Sequence, residues 1–249
     1  MDSRFRLLDR PFIWAHRGAS RIAPENTLAS FNLAAAQGAD GIELDAQLCR
    51  SGEVVVFHDT SLGRVAGHPG LIAEATWTEL QRLDLGSRKA ARWAGERIPL
   101  LAEVLDQTPK HLFVNVEIKC ERADDRGLTE QVIDVVRACC ATERVLFSSF
   151  NPLCLARARA LAPDVPRALL FEPDSSWWLR TTQSAPVLDL LALHPAHELA
   201  TLERVARWTA RYTLACWTVD DLALAQELWS RGVSGLITNT PAEMLAQFC

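Results

Sequence analysis

Two segments of this 249-residue chain carry charged side chains at alternate positions. In GIELDAQL (41–48), Ile42, Leu44 and Leu48 fall on one side and Glu43, Asp45 and Gln47 on the other, because successive strand residues face opposite ways. LFVNVEIK (112–119) repeats the pattern, with Val114, Val116 and Ile118 opposite Asn115, Glu117 and Lys119. Glu43 and Asp45 stand ~7 Å apart as i and i+2 neighbours. If the two strands are adjacent, Glu117 joins them, and three clustered carboxylates take up protons unless a cation neutralises them. An all-oxygen site favours a hard divalent ion, Mg²⁺ or Ca²⁺, over zinc. The competing explanation is an ion-pair network in which Lys119 and Arg17 compensate the acids. Two histidines add a second kind of chemistry: His16 in His16-Arg17-Gly18 and His58 in His58-Asp59 each end a strand-like run. Imidazoles titrating near neutral pH can divide the roles of general acid and general base in one displacement.

The elements that must position these groups follow from periodicity and punctuation. Strand-like runs lie at 12–16, 41–48, 54–58, 112–119, 144–150, 167–171, 188–193, 213–219 and 235–238. Most are separated by amphipathic helices: 25–37 stops at Gly38, and 128–139 places Leu128, Val132, Val135 and Cys139 along one stripe. Asn151-Pro152 and Thr240-Pro241 read as N-caps followed by proline in the first turn, and 220–231 opens with Asp220 and stops at Gly232. The link from 41–48 to 54–58, with Ser51-Gly52 between, is too short for a parallel crossover and must be a hairpin. Strand 54–58 therefore belongs to an excursion over about 49–98, before helix 99–107 returns to the next strand. Eight β-α units remain, which predicts a TIM (β/α)8 barrel over residues 1–249 as one domain, with a small insertion after barrel strand 2. A half-exposed antiparallel sheet would show the same alternation, but the intervening helices argue for a sheet with no solvated face. The charged side chains then point into the barrel, and His16 and His58 stand at the carboxyl ends of strands, where such barrels build active sites. His194 ends the sixth barrel strand and is expected near the mouth; His68, His111 and His197 read as surface residues.

Composition narrows the function classes. Lys+Arg 26 against Asp+Glu 31 gives a formal charge of −5, which argues against a nucleic-acid-coating surface. An anionic substrate must be held by local groups rather than by the overall field. The start, MDSRFRLLDRPF, lacks the apolar core of a signal peptide, and the longest apolar runs fall short of the ~20 residues of a membrane span. Seven cysteines without a CxxC pair read as free thiols of a cytoplasmic protein.

As a set these residues resemble the glycerophosphodiester phosphodiesterase family, in its bacterial cytosolic form. AHRGASRIAPENTLASF (15–31) looks like the family signature, and GIELDAQL, VVVFHD, IPLLAEVL, NVEIK, LFSSF, LALHP, WTVDD and GLITNTP follow in the family's order, covering about 12 to 245. The resemblance implies metal-dependent hydrolysis of a small-molecule glycerophosphodiester to sn-glycerol 3-phosphate and an alcohol such as choline or ethanolamine, within lipid and glycerol metabolism. It implies Glu43, Asp45 and Glu117 as ligands of one divalent ion, His16 and His58 as the acid/base pair, and Arg17 and Lys119 as cations on the phosphoryl oxygens. Glu25 and Asn26, in the ENT element, lie near the site. His194 and Trp217 match positions at the substrate end, with Phe150 an apolar wall; barrel packing accounts equally for Trp217. By analogy with the family, the neighbouring glycerol hydroxyl attacks first and water then opens a cyclic phosphate. Two places depart from the family pattern: Arg64-Val65-Ala66-Gly67-His68-Pro69-Gly70, and Asp220 after the WTV run. They bear on substrate preference. Rivals are a related barrel phosphodiesterase acting on lysophospholipids or phosphoinositides, with Trp177 and Trp178 giving an apolar approach, and a non-catalytic phosphodiester-binding protein. Oligomeric state is not set by the sequence.

Overall fold

The computed structural model describes residues 9–120, 123–180 and 185–248. The start of the chain and Cys249, both read above, lie outside the described residues. Eight parallel strands close into a barrel: β1 (Phe12–His16), β2 (Gly41–Leu48), β4 (Phe113–Ile118), β5 (Val145–Ser149), β6 (Arg167–Phe171), β7 (Ala192–Pro195), β8 (Thr213–Cys216) and β9 (Gly235–Thr238), with β9 pairing to β1 and β1 to β2. The ninth strand, β3 (Val54–Val56), runs antiparallel on β2, with Ala46 opposite Val56. The expected barrel and the hairpin excursion are both present.

The apolar face of each strand meets the surrounding helices. Ile42, Leu44, Val114 and Val116 pack with Phe31, Leu101, Val104, Val132 and Ala158 in one outer core, all 0% exposed. The opposite faces point inward. Such barrels stack their interior in tiers of four side chains from alternate strands, with a shear of about eight residues. The observed registers then place Asp45, Phe150, Ala196 and Asn239 uppermost and His16, Glu117, Leu170 and Trp217 below them. Glu43, Ser148, His194 and Ile237 form the third tier, and Trp14, Asn115, Ala168 and Ala215 the fourth. Phe12, Trp14 and Phe113 close the amino end, with ring centroids 4.7 and 5.7 Å apart about Phe12. Gly41 is required there, because a Cβ would press into the Trp14 ring.

The excursion carries its own small core of Val55, Phe57, Leu62, Ile72, Leu80, Leu85 and Ile98, and rejoins the barrel where Val56 N–H donates to the Pro99 carbonyl. Several sequence-derived boundaries move for identifiable reasons. The strand expected at 188–193 is β7 at Ala192–Pro195: Leu188 ends a short helix, and Asp189, at φ 50°, turns the chain to face Arg167. Strand 54–58 shortens because the Gln47 amide captures the carbonyls of Phe57, His58 and Asp59. The first helix runs Leu28–Ala36, capped by the Thr27 hydroxyl on Ser30 N–H. Helix Leu128–Ala138 buries Thr129, Ile133 and Val136 beside Leu128 and Val132, so its packing face lies one position from the expected stripe. Asp221, not Asp220, caps helix Leu222–Ser230.

Candidate active site

The site is assembled at the carboxyl ends of β1, β2 and β4 and on the turn after β3. In-register pairing sets Asp45 opposite Glu117 and Glu43 opposite His16. Oxygens of Glu43, Asp45 and Glu117 come within 4.8 Å of one another, in side chains that are all buried. Lys119 Nζ lies 3.5 Å from Asp45 Oδ1 and 3.2 Å from Glu117 Oε1. Arg17 Nε lies 3.4 Å from Asp45 Oδ2, and Arg17 backbone N–H donates to Glu43 Oε2 at 3.2 Å. Asn26 donates to Asp45 at 2.8 Å.

This geometry bears on the two explanations of the acids. Two cations face three carboxylates, and the compensation is uneven. Burial alone would raise Asp45, but Lys119 and Arg17 hold it below its ordinary range. Glu43 is pushed well above the carboxylate range by burial and by Asp45 and Glu117. Burial pushes Glu117 up to about 7 against the pull of Lys119. A cluster that otherwise takes up protons, with an all-oxygen donor set, fits a hard divalent cation.

Backbone strain brings Arg17 to this centre. Arg17 and Asn26 both lie in the left-handed region, at φ 55° and 58°, and Gly18 follows at φ 81°. A Cβ at Gly18 would collide with Ser30, whose hydroxyl donates to the Arg17 carbonyl at 2.9 Å. His-Arg-Gly is thus a tight turn pinned to the first helix, which returns Arg17 over the carboxylates.

The two imidazoles have different partners. His16 Nδ1 lies 2.8 Å from Asn239 Oδ1, and burial lowers its pKa to about 4. The Asn239 amide nitrogen donates to Asp220 Oδ2 at 2.7 Å, and its backbone N–H to Asp220 Oδ1 at 2.7 Å. His58 Nδ1 lies 2.6 Å from the Asp59 carboxylate, and burial lowers its pKa as well. Arg64 ties the two halves together. It reaches Asp59 at 2.7 and 2.9 Å and Glu25 at 2.8 and 2.7 Å, while Glu25 also receives Arg17 at 2.9 Å.

A cleft of about 990 Å³ opens over these groups, lined among others by His16, Arg17, Glu43, His58, Lys119 and Trp217. Phe150 stacks edge-on against Trp217 at 5.5 Å, and both line the cleft. His194 is a correction. It is 1% exposed and lines a separate cavity of about 40 Å³ rather than the cleft, and its carbonyl accepts from Trp217 Nε1 at 2.7 Å. His68 and His111 are exposed as expected, whereas His197 is half-buried against the Trp217 carbonyl. Trp177 and Trp178 are 62% and 38% exposed, just beyond Ser175 at the cleft edge. Sequence reasoning missed Gln47, Asp59, Arg64, Asp220 and Asn239 as supports. Only the His-Asp adjacency of Asp59 hinted at such a role.

A parallel barrel with an acidic, cation-flanked centre and paired imidazoles in one cleft fits a phosphoric diester hydrolase. Residues 16–243 match the glycerophosphoryl diester phosphodiesterase family. The chain is 34% identical over 238 residues to a glycerophosphodiester phosphodiesterase of Caldanaerobacter subterraneus, covering 95% of this chain and 97% of that one. It is 32% identical to a glycerophosphodiester phosphodiesterase of Bacillus altitudinis, over 92% and 94% of the two chains. Among solved structures, a phosphodiesterase of Oleispira antarctica in complex with the product sn-glycerol-3-phosphate superposes with a TM-score of 0.89 at 32% identity, over 96% of each chain. The chain belongs to the glycerophosphoryl diester phosphodiesterase family and is an enzyme. Among the described residues, no helix is long and apolar enough to cross a membrane.

Proposed function

We propose that the enzyme hydrolyses glycerophosphodiesters to sn-glycerol 3-phosphate and an alcohol, with one divalent ion, Mg²⁺ or Ca²⁺, held by Glu43, Asp45 and Glu117. When bound, the ion supplies positive charge against the phosphoryl oxygens and acidifies a hydroxyl beside it. Arg17 and Lys119 bind phosphoryl oxygens and stabilise their charge in the transition state. His16 is the base. The Asn239 amide nitrogen is committed to Asp220, so its oxygen accepts from His16 Nδ1–H and the Nε2 lone pair is free to take a proton from the attacking oxygen. His58 is the acid. Its Nδ1 faces the Asp59 carboxylate, which stabilises the charged ring against the burial that lowers its pKa, and it gives a proton to the leaving alkoxide. Phe150 and Trp217 form an apolar wall beside the substrate. The enzyme would act in the cytoplasm, on the diesters left when phospholipids lose their acyl chains.

The convergence of three buried carboxylates, two cations and two imidazoles in one cleft supports this reading. The test is release of sn-glycerol 3-phosphate from glycerophosphocholine, with and without chelator, for wild type, His16→Ala and His58→Ala. Loss of at least ~10² in kcat is expected for either variant. Full activity after EDTA, or a preference for lysophosphatidylcholine, would overturn it.

A further inference from the structure

Beneath the acidic centre the barrel interior is polar again. Asn115 on β4, Ser148 on β5 and His194 on β7 are 0%, 0% and 1% exposed. Both amide atoms of Asn115, the Ser148 hydroxyl and His194 Nδ1 have no hydrogen-bond partner among the described residues. Ser148 and His194 share the tier of Glu43, and Asn115 stands one tier lower while pairing in register with Glu43. Buried polar groups without partners are rare, because each has given up water for nothing. Three of them at adjoining levels of one barrel axis point to a ligand.

The space and chemistry identify that ligand as water. Their tier-mates are Trp14, Ala168 and Ala215 beside Asn115, and Glu43 and Ile237 beside Ser148 and His194. Asn115 lines the active-site cleft, and His194 lines the separate cavity of about 40 Å³. A water needs ~10–15 Å³ and two to four polar partners, and the cavity beside His194 has the volume for about three. An amide, a hydroxyl and an imidazole donate and accept but bring no formal charge, which suits water better than an ion. Glu43 itself receives one hydrogen bond among the described residues, from Arg17 above it.

We propose that water bound along the barrel axis by Asn115, Ser148 and His194 hydrogen-bonds Glu43 from below, which makes these three residues positioning residues for the metal-binding carboxylates. The proposal rests on the divalent-ion reading given above. Its test pairs a high-resolution crystal structure with Mg²⁺ titration calorimetry on wild type, Asn115→Leu, Asn115→Ser and Ser148→Ala. Ordered water within hydrogen-bonding distance of Asn115 and Ser148 is expected in the wild type. Asn115→Leu, which fills the site with apolar volume, should weaken Mg²⁺ binding about tenfold or more without lowering the Tm, and Asn115→Ser, which leaves room for an added water, should stay within about threefold of wild type. A dry interior in the wild type, or Asn115→Leu binding Mg²⁺ as tightly as wild type, overturns the proposal. Should Asn115→Leu fail to fold, the same two readouts on Ser148→Ala decide. A wild type that binds neither Mg²⁺ nor Ca²⁺ overturns the metal reading instead, whatever the water density shows.

Discussion

Asn239 Oδ1 lies 2.8 Å from His16 Nδ1, although 223 positions separate the two residues in the chain. The amide cannot flip without losing its 2.7 Å bond to Asp220, so it enforces one tautomer of the imidazole. Ser20 adds a second donor to the same oxygen at 2.7 Å. Asn239→Ala is therefore expected to lower kcat by about 10² with little change in KM, as loss of an oriented general base does. Steady-state kinetics on glycerophosphocholine checks this; an unchanged kcat would remove Asn239 from the catalytic support.

Arg64 belongs to the excursion, and it clamps Glu25 and Asp59 at once. Lysine has one ammonium and cannot reproduce two bidentate contacts. Arg64→Lys should lower kcat/KM on the order of tenfold, within the scale of small misplacements of catalytic groups. If Arg64→Lys matches wild type on several head groups, the clamp has no part in turnover.

Proton and cation compete for the carboxylates. With Glu117 pushed up to about 7, metal binding must displace a proton at lower pH. Mg²⁺ affinity should fall by about tenfold per pH unit below neutrality for each proton displaced. Calorimetry in buffers of differing ionisation heat would report the released proton.

The same shift has a sign for stability. A carboxyl with a folded pKa above its unfolded value binds protons more tightly when folded, so the metal-free protein loses stability as pH rises from about 4.5 through about 7. Added Mg²⁺ should raise the Tm more at pH 8 than at pH 5.5, and thermal denaturation at the two values tests this.

Glu43→Gln should act in opposite directions with and without the ion. Removing one of three mutually repelling carboxylates should stabilise the metal-free protein by a few degrees, at about 2–4 °C per kcal/mol for a chain of this length. It should also abolish most of the stabilisation that Mg²⁺ provides to wild type. A metal-free Tm below wild type would mean that Glu43 is compensated in a way its surroundings do not suggest.

The sequence by itself determined the barrel, the hairpin excursion and the three acids, because these rest on local signals. Strand alternation at 41–48 and 112–119 assigns Glu43, Asp45 and Glu117 to the interior face without knowledge of any contact. Short links force a hairpin and long ones allow a crossover, so topology followed from spacing. What only the tertiary structure decided is how those groups are held. Asn239 on His16, Gln47 on the turn that carries His58 and Arg64 between Glu25 and Asp59 join segments far apart in the chain. No local periodicity encodes such partners. His194 shows the same limit: its place at a strand end suggested the mouth, but the stagger of the closed barrel sets it below the cleft, in a separate cavity. Interior tiers are set by the stagger between strands, a property of the closed barrel that no single strand contains.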